Sequence, residues 1–171
     1  MIELKNVSYV YPHTAQEAIK NLSFLLEKGR CVFITGASGS GKTTLCLAAA
    51  GILHHEYGGK KAGQVVIEGR NVESFSGISE IAEKIGMVFD DAEAQMIFTT
   101  VEEEILSALE HRGLSADEIE SRLSLVMSMA HLVELKDRSP HNLSGGQKQR
   151  VALAATLARR AATTGLNGGG G

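Results

Sequence analysis

The residues with the clearest chemical pattern lie in the range Gly36–Thr43, which reads GASGSGKT and fits the spacing G-x-x-x-x-G-K-[ST]. Its three glycines allow a tight turn in which backbone N–H groups converge on an anion without interference from side chains. Lys42 would place a cation on the outer phosphates of a nucleotide, and the Thr43 hydroxyl has the type and position of a Mg²⁺ ligand. The pattern therefore predicts a phosphate-binding loop.

The elements on either side of this loop are those that would position it. The apolar run Cys31–Ile34 before the loop predicts a buried strand, and Thr43–Ala50 after it predicts a helix. A loop that opens a helix also gains the partial positive charge of the helix N-terminus, which favours a bound anion.

A second glycine-rich helix start lies near the carboxyl end of the sequence. Ser144 has the side chain of a helix cap, and Gly145 and Gly146 would leave backbone amides accessible to a ligand. A helix with one apolar face is predicted from the helical spacing of Val151, Ala154, Leu157 and Ala158. The sequence therefore indicates a second anion site, which taken alone would be weak support for any function.

The composition narrows the class of partner. With 171 residues, 43% of them hydrophobic, the chain can form one domain with a sizeable core. A net charge of -3 argues against a surface for polyanions, and the 5% aromatic content argues against stacking of nucleic-acid bases. No signal peptide and no membrane-spanning run is predicted, so we expect a soluble chain without a nucleic-acid partner.

The amino-terminal half reads as an α/β arrangement. Alternating apolar residues in Ile2–Tyr11, and again at Leu22, Phe24 and Leu26, predict an antiparallel layer beside the nucleotide. The glycine-rich stretch Gly58–Gly63 predicts a flexible loop. The apolar run Ile85–Phe89 predicts another strand, and it ends at Asp90, where ligands bind in parallel sheets.

The sequence after Phe98 predicts helices. Thr100 and Glu103 fit a capping box, and Val101, Ile105 and Leu109 follow at helical spacing. Ser115 and Glu118 form a second such pair before another helix. These helices predict a mostly helical insertion over about residues 95–142.

Together the two anion sites carry a family resemblance. The chain resembles the nucleotide-binding subunit of ATP-binding-cassette (ABC) transporters: Gly36–Thr44 is similar to the Walker A loop, and Leu143–Gln147 matches the signature motif LSGGQ letter for letter. Residues Gly86–Gln95 and Thr100–Glu103 are similar to the energy-coupling-factor branch, which powers import of vitamins and metal ions. The resemblance covers about residues 1–160 and implies a P-loop ATPase fold that binds ATP and Mg²⁺.

The resemblance also assigns roles by position. Tyr11 falls where the family has its adenine-stacking aromatic residue, Lys42 is catalytic, and Thr43 ligates Mg²⁺. The residues implied to bind nucleotide are Tyr11, Gly36, Ala37, Ser38, Gly39, Ser40, Gly41, Lys42, Thr43 and Thr44. Those implied to contact ATP held by a second ATPase domain are Leu143, Ser144, Gly145, Gly146 and Gln147. Two domains would thus pair head to tail around two nucleotides, in a homodimer or a heterodimer.

Two departures from the family pattern alter these expectations. Asp90 stands at the position of the Q-loop glutamine, where it could still ligate Mg²⁺ but would add negative charge. The sequence also ends before the Walker B strand and its Asp-Glu pair, with residues 161–171 reading as a flexible glycine-rich tail. The carboxyl-terminal part of the sheet would then be missing, and we expect marginal stability, weak Mg-ATP binding and little or no hydrolysis.

Three functional readings follow. The first is the ATPase subunit of an importer of the energy-coupling-factor type, cytoplasmic and held at the inner face of the membrane by a transmembrane subunit. The second is a non-catalytic nucleotide-binding module that pairs with a complete ATPase. The third is a soluble ABC-type ATPase without a membrane partner, against which the absence of a basic surface counts.

Overall fold

The computed structural model describes residues 1–110 and 113–161 of the chain. These residues divide into two compact units, the first spanning Met1–Ile85 and the second beginning at Gly86. Each unit has its own buried core, and each is described by itself.

The first unit is built on a four-stranded antiparallel sheet. Its strands are β1 (Ile2–Val10), β2 (Glu17–Leu26), β3 (Lys60–Ile67) and β4 (Arg70–Asn71), in the order β2-β1-β3-β4. Leu4 of β1 pairs with Phe24 of β2 on one side and Val65 of β3 on the other, and is only 1% exposed. The apolar alternation in the sequence thus becomes one buried face, and the predicted antiparallel layer is confirmed.

The prediction of a flexible loop over Gly58–Gly63 is wrong for its second half, since β3 already begins at Lys60. Gly63 has φ 83°, and a Cβ on it would collide with backbone oxygens of Lys5 and Asn6. This contact lies where the β1–β3 register shifts between Lys5 and Ser8. The glycine is therefore required by close approach of two strands rather than by a mobile turn.

The first unit also contains three helices, α1 (Lys42–Ala49), α2 (Ile52–His55) and α3 (Ile78–Ala82), and a 3₁₀ turn at Val72–Ser74. Leu47 of α1 and Leu53 of α2 are 5% and 3% exposed and join the core of this unit. The helix predicted after the glycine-rich loop is confirmed.

Two strand predictions are wrong. Neither Cys31–Ile34 nor Ile85–Phe89 forms a strand, and the described residues contain no parallel sheet. Phe33 is 89% exposed, with Val32 and Ile34 each exposed by more than two fifths. A strand exists only when its backbone groups pair with a neighbour, and no other strand within residues 1–110 and 113–161 supplies such pairing.

The second unit is helical. It contains α4 (Val101–Glu110), α5 (Ala116–Met129) and α6 (Gly145–Ala161), with 3₁₀ turns at Glu93–Gln95, Val133–Leu135 and Pro140–Asn142. Both predicted capping boxes are present: Thr100 and Glu103 exchange hydrogen bonds of 3.1 and 3.2 Å, and Ser115 and Glu118 do so at 3.0 and 3.3 Å.

The apolar positions of these helices form one core. Val101, Ile105 and Leu109 of α4 are fully buried, as are Val151 and Ala154 of α6. The helical spacing seen in the sequence therefore marks the faces that pack together. Leu157, predicted to lie on the same face of α6, is instead 37% exposed.

Residues 162–171, which make up most of the predicted glycine-rich tail, lie outside the described residues. The bounds of the predicted helical insertion, about residues 95–142, stay a prediction. No helix in the described part of the chain is both long and apolar enough to cross a bilayer.

Candidate nucleotide-binding site

The glycine-rich loop of the first unit has a backbone that only glycines adopt without strain. Gly36, Gly39 and Gly41 have φ of 152°, 78° and 87°. Gly41 is the residue before α1, and a Cβ on it would collide with the carbonyl oxygen of Ala18 in β2. The loop therefore leads into α1 through a space that admits no side chain at Gly41.

The start of α1 is an open set of hydrogen-bond donors. No side chain caps this helix. The Leu45 N–H donates to the carbonyl oxygen of Gly41, the residue before the helix, at 2.8 Å. The N–H groups of Lys42, Thr43 and Thr44 have no carbonyl in a preceding helical turn to donate to. A helix start without a cap is a site of partial positive charge that an anion can complete.

The Lys42 ammonium lies within the loop. Its Nζ donates to the carbonyl oxygens of Gly36, at 2.9 Å, and Ala37, at 2.8 Å. Because an ammonium has three N–H donors, these bonds hold it at the loop and leave one donor for a ligand. The cation and the amides at the helix start thus belong to one short segment of chain.

Tyr11 is positioned against the first turn of α1. Its hydroxyl lies 3.2 Å from that of Thr44, whose side chain is buried. Its ring meets Tyr9 edge-on at 4.7 Å and Tyr57 at 6.2 Å between centroids. Tyr9 in turn donates to the Gly58 carbonyl at 2.6 Å, and burial raises the pKa of its phenol.

This arrangement brings the predicted adenine-stacking residue beside the loop. It also gives the two threonines different surroundings, since Thr43 is exposed at the second position of α1 while Thr44 is buried behind it. A ligand could reach the Thr43 hydroxyl, whereas Thr44 presents its backbone N–H.

The residues present fit Mg²⁺ only in company with phosphates. In the described part of the chain, no group of three or more His, Cys, Asp or Glu side chains could hold a metal ion. Mg²⁺ bound to a nucleotide needs one or two protein ligands, because phosphate oxygens and water supply the rest. The exposed Thr43 hydroxyl next to the loop suits that role.

The second predicted anion site lies at the start of α6 in the second unit. The Gln147 N–H donates to Ser144 Oγ at 3.4 Å, and the Ser144 N–H donates to Gln147 Oε1 at 2.9 Å, so this pair forms a capping box. Gly145 and Gly146 are exposed, with no atom near the place where a Cβ would stand. Their backbone N–H groups take no part in the capping box and are therefore available as donors. Leu143, which is only 6% exposed, anchors the turn.

A carboxylate that the sequence did not single out lies against this helix start. Glu93 accepts from Lys148 Nζ at 2.6 Å and contacts His141 Nδ1 at 3.4 Å. The Lys148 ammonium, and then the His141 ring, lower the pKa of Glu93. These residues are far apart in sequence and share no spacing, so no pattern could have found them.

Asp90 lies in the second unit, on an exposed segment without regular structure. The segment is ordered by its neighbours: Asp91 Oδ1 accepts from the Ala94 N–H at 3.2 Å, and Gln95 Oε1 accepts from the Phe89 N–H at 3.5 Å. The structure thus groups Asp90 with Leu143–Gln147 in one unit, and Tyr11 with Gly36–Thr44 in the other.

Most of the chain matches one known protein family. The model of the ABC transporter family matches residues 19–164, which is most of the chain. The chain belongs to the ABC transporter family. Both glycine-rich segments lie within the matched residues, and their roles as Walker A loop and signature motif stay predictions.

Curated relatives agree with this assignment. A putative ABC transporter ATP-binding protein of Methanosarcina mazei is 56% identical over 92% of this chain, which spans 32% of that relative. The energy-coupling factor transporter ATP-binding protein EcfA1 of Streptococcus thermophilus is 35% identical over 94% of this chain, which spans 56% of it. The chain thus covers about a third to a half of the length of these relatives.

Solved structures confirm the fold. The structure of cbiO1 from Clostridium perfringens, described as part of the ABC transporter complex cbiONQ, matches with a TM-score of 0.79 and 29% identity over 92% of this chain and 61% of its own. The ATP-binding cassette MJ0796, solved as a dimer bound to ADP and Pi, matches with a TM-score of 0.75 and 30% identity over 93% of this chain and 70% of its own. The ABC-ATPase fold and the energy-coupling-factor resemblance are therefore confirmed, while the individual site residues stay predictions.

Proposed function

We propose that this chain binds Mg-ATP as part of the ATPase subunit of an importer of the energy-coupling-factor type. The observation that carries the proposal is the uncapped start of α1, where three backbone donors and the Lys42 ammonium lie in one loop. A triphosphate supplies the acceptors that this segment lacks. Mg²⁺, held at Thr43, would neutralise part of the triphosphate charge.

Each residue at the loop has a separate task in this proposal. The glycines keep side chains out, so that amides reach the phosphates directly. Lys42 is held by the Gly36 and Ala37 carbonyls and places its charge on the outer phosphates. Tyr11, with its hydroxyl on Thr44, offers its ring to the adenine.

The signature residues act on a different nucleotide. We propose that Ser144, Gly145 and Gly146 contact the outer phosphate of ATP held by a second ATPase domain, with Leu143 and Gln147 supporting the turn. MJ0796 crystallises as a nucleotide-bound dimer, which supports this pairing for the present chain. Because ATP would contact both domains only when they are closed together, it selects the closed dimer.

The membrane role is proposed for the whole protein. Relatives named as energy-coupling-factor and cbiONQ components support a transmembrane partner and a position at the cytoplasmic face of the membrane. In that setting ATP hydrolysis would drive transport.

Calorimetric titration of the chain with Mg-ATP tests the proposal. We expect one saturable site, weakened about tenfold or more by Lys42→Ala, because a charge-assisted contact to phosphate is lost. Lys28→Ala is the matched control: Lys28 is an exposed lysine of the same unit without an ion pair among the described residues. Equal affinity of Lys42→Ala and the wild type, or no binding by the wild type, would refute the proposal.

A further inference from the structure

We propose that Glu93 is a positioning residue for the signature turn. Its carboxylate ties the segment that follows Asp90 to the first turn of α6, and so fixes the amides of Gly145 and Gly146 for a phosphate held by a second domain. This inference rests on the proposed function, since it concerns nucleotide bound between two copies.

Glu93 itself is firmly held. It begins the 3₁₀ turn Glu93–Gln95, and its neighbours Ala92 and Met96 are buried in the core of the second unit at 4% and 7% exposure. The Met96 N–H donates back to the Glu93 carbonyl at 3.0 Å. The carboxylate therefore projects from a backbone that is anchored to the core on both sides.

The two oxygens of this carboxylate contact residues on either side of the signature motif. Oε1 faces His141, in the turn Pro140–Asn142 before the motif, and Oε2 accepts from Lys148, in the first turns of α6 after it. The Lys148 side chain is only 13% exposed, so its geometry is restricted by packing. The Glu93 side chain is 52% exposed, so the pair is buried on the Lys148 side alone and its effect on association should be modest.

The turn between these contacts has few other side chains to hold it. Gly145 and Gly146 have none, and the side chains of Ser144 and Gln147 bind each other's backbone. Leu143 anchors the turn in the core, and the Glu93 contacts before and after the motif add a second restraint. Because donors act on a phosphate only when they are aimed at it in advance, a small rotation of this turn would weaken the contact in trans.

Glu93→Gln tests the proposal, because it keeps the shape of the side chain and removes its charge. Self-association of the chain is measured by sedimentation with Mg²⁺ and a slowly hydrolysed ATP analogue, and binding at the Walker A loop is measured separately by calorimetry in dilute protein. We expect Glu93→Gln to weaken nucleotide-dependent association about threefold and to leave loop binding unchanged. Glu120→Gln, at an exposed glutamate of α5 without a partner among the described residues, should change neither quantity.

A double-mutant cycle shows whether the effect passes through Lys148. Lys148→Met should weaken association by a similar factor, and Glu93→Gln should add little in that background. Additive effects of the two substitutions would overturn the proposal. It would also be overturned if nucleotide binding at the loop weakened as much as association, because that result indicates general destabilisation. If nucleotide does not drive association of the wild type, the proposed function is refuted. If the wild type associates and Glu93→Gln associates equally well, only the role of Glu93 is refuted.

Discussion

At the scale of single residues, the phosphate-binding loop depends on glycines for two different reasons. Gly39 and Gly41 both have positive φ, of 78° and 87°. Around Gly39 there is open space, whereas a Cβ on Gly41 would meet the Ala18 carbonyl oxygen. The two positions therefore separate backbone strain from close approach.

Alanine substitutions distinguish these causes. We expect Gly39→Ala to lower the free energy of unfolding by about 1–2 kcal/mol, the strain of a non-glycine residue in the left-handed region. Gly41→Ala should cost more and should also weaken Mg-ATP binding, because the start of α1 must shift away from β2. Urea unfolding and calorimetric titration of both variants measure this, and equal effects of the two substitutions would show that the Ala18 contact is unimportant.

Two substitutions at Tyr11 separate the role of its ring from that of its hydroxyl. If the ring stacks on adenine, Tyr11→Phe should keep ATP affinity to within about threefold, since only the 3.2 Å contact with Thr44 is lost. Tyr11→Ala should weaken binding about tenfold, the usual range for a lost base–aromatic stack. Competition by inorganic triphosphate serves as the control, because it lacks the base; an equal loss of its affinity in Tyr11→Ala would contradict stacking.

Glu80 gives the first unit a predictable dependence on acid. The Ser76 backbone N–H, and then the Arg70 guanidinium, hold its pKa down from 4.5 to about 2. A carboxyl with a depressed pKa in the folded state stabilises above its unfolded pKa, and that stabilisation is lost as the pH falls from 4.5 towards 2.

Glu80→Gln should therefore lower stability at neutral pH and flatten its decline in that acidic window. Urea midpoints measured at several values of pH for the wild type and Glu80→Gln test this prediction. The control is Glu83→Gln, at an exposed position without an ion pair in the described part of the chain. Parallel pH profiles for wild type and Glu80→Gln would show that Glu80 is not responsible.

At the scale of secondary-structure elements, the sequence predicted best where the signal is local. The capping boxes at Thr100–Glu103 and Ser115–Glu118 involve residues three positions apart, and both form as expected. The same local logic located the starts of α1 and α6. Caps and helical periodicity are properties of short segments, so they hold whatever else the chain does.

Strands are different, because their existence depends on distant partners. Apolar runs at Cys31–Ile34 and Ile85–Phe89 predicted strands. Within the described residues, no strand pairs with either run. At Gly63 the error was the reverse: the sequence predicted a loop, whereas this glycine is required within strand β3. The Glu93–Lys148 contact joins residues far apart in sequence, so it too became visible only in the fold.

The exposed segment Cys31–Ile34 has a measurable consequence. An exposed apolar segment that is not paired in a sheet invites association with another strand. We expect Phe33→Ser to reduce both binding of a hydrophobic dye and self-association without nucleotide. The unfolding midpoint should stay nearly unchanged, because the Phe33 side chain is 89% exposed. Ile97→Ser is the control: Ile97 is 82% exposed but lies in the other unit. A clear loss of stability in Phe33→Ser would instead mean that this side chain is packed.

At the scale of the whole molecule, the two predicted anion sites lie in separate compact units. The predicted Walker A loop belongs to Met1–Ile85, and the predicted signature turn belongs to the unit that begins at Gly86. The family and its two motifs were readable from sequence because their residues are contiguous. The chain spans about a third to a half of the length of these relatives, and a membrane role stays a proposal for the whole protein.

The most direct test of the account is amide hydrogen exchange of the chain with and without Mg²⁺ and a slowly hydrolysed ATP analogue, followed at two protein concentrations. The account predicts slower exchange in residues 36–44 at both concentrations, and slower exchange at Gly145 and Gly146 only when the protein is concentrated enough to associate. Unchanged exchange in residues 36–44 at saturating nucleotide would contradict it.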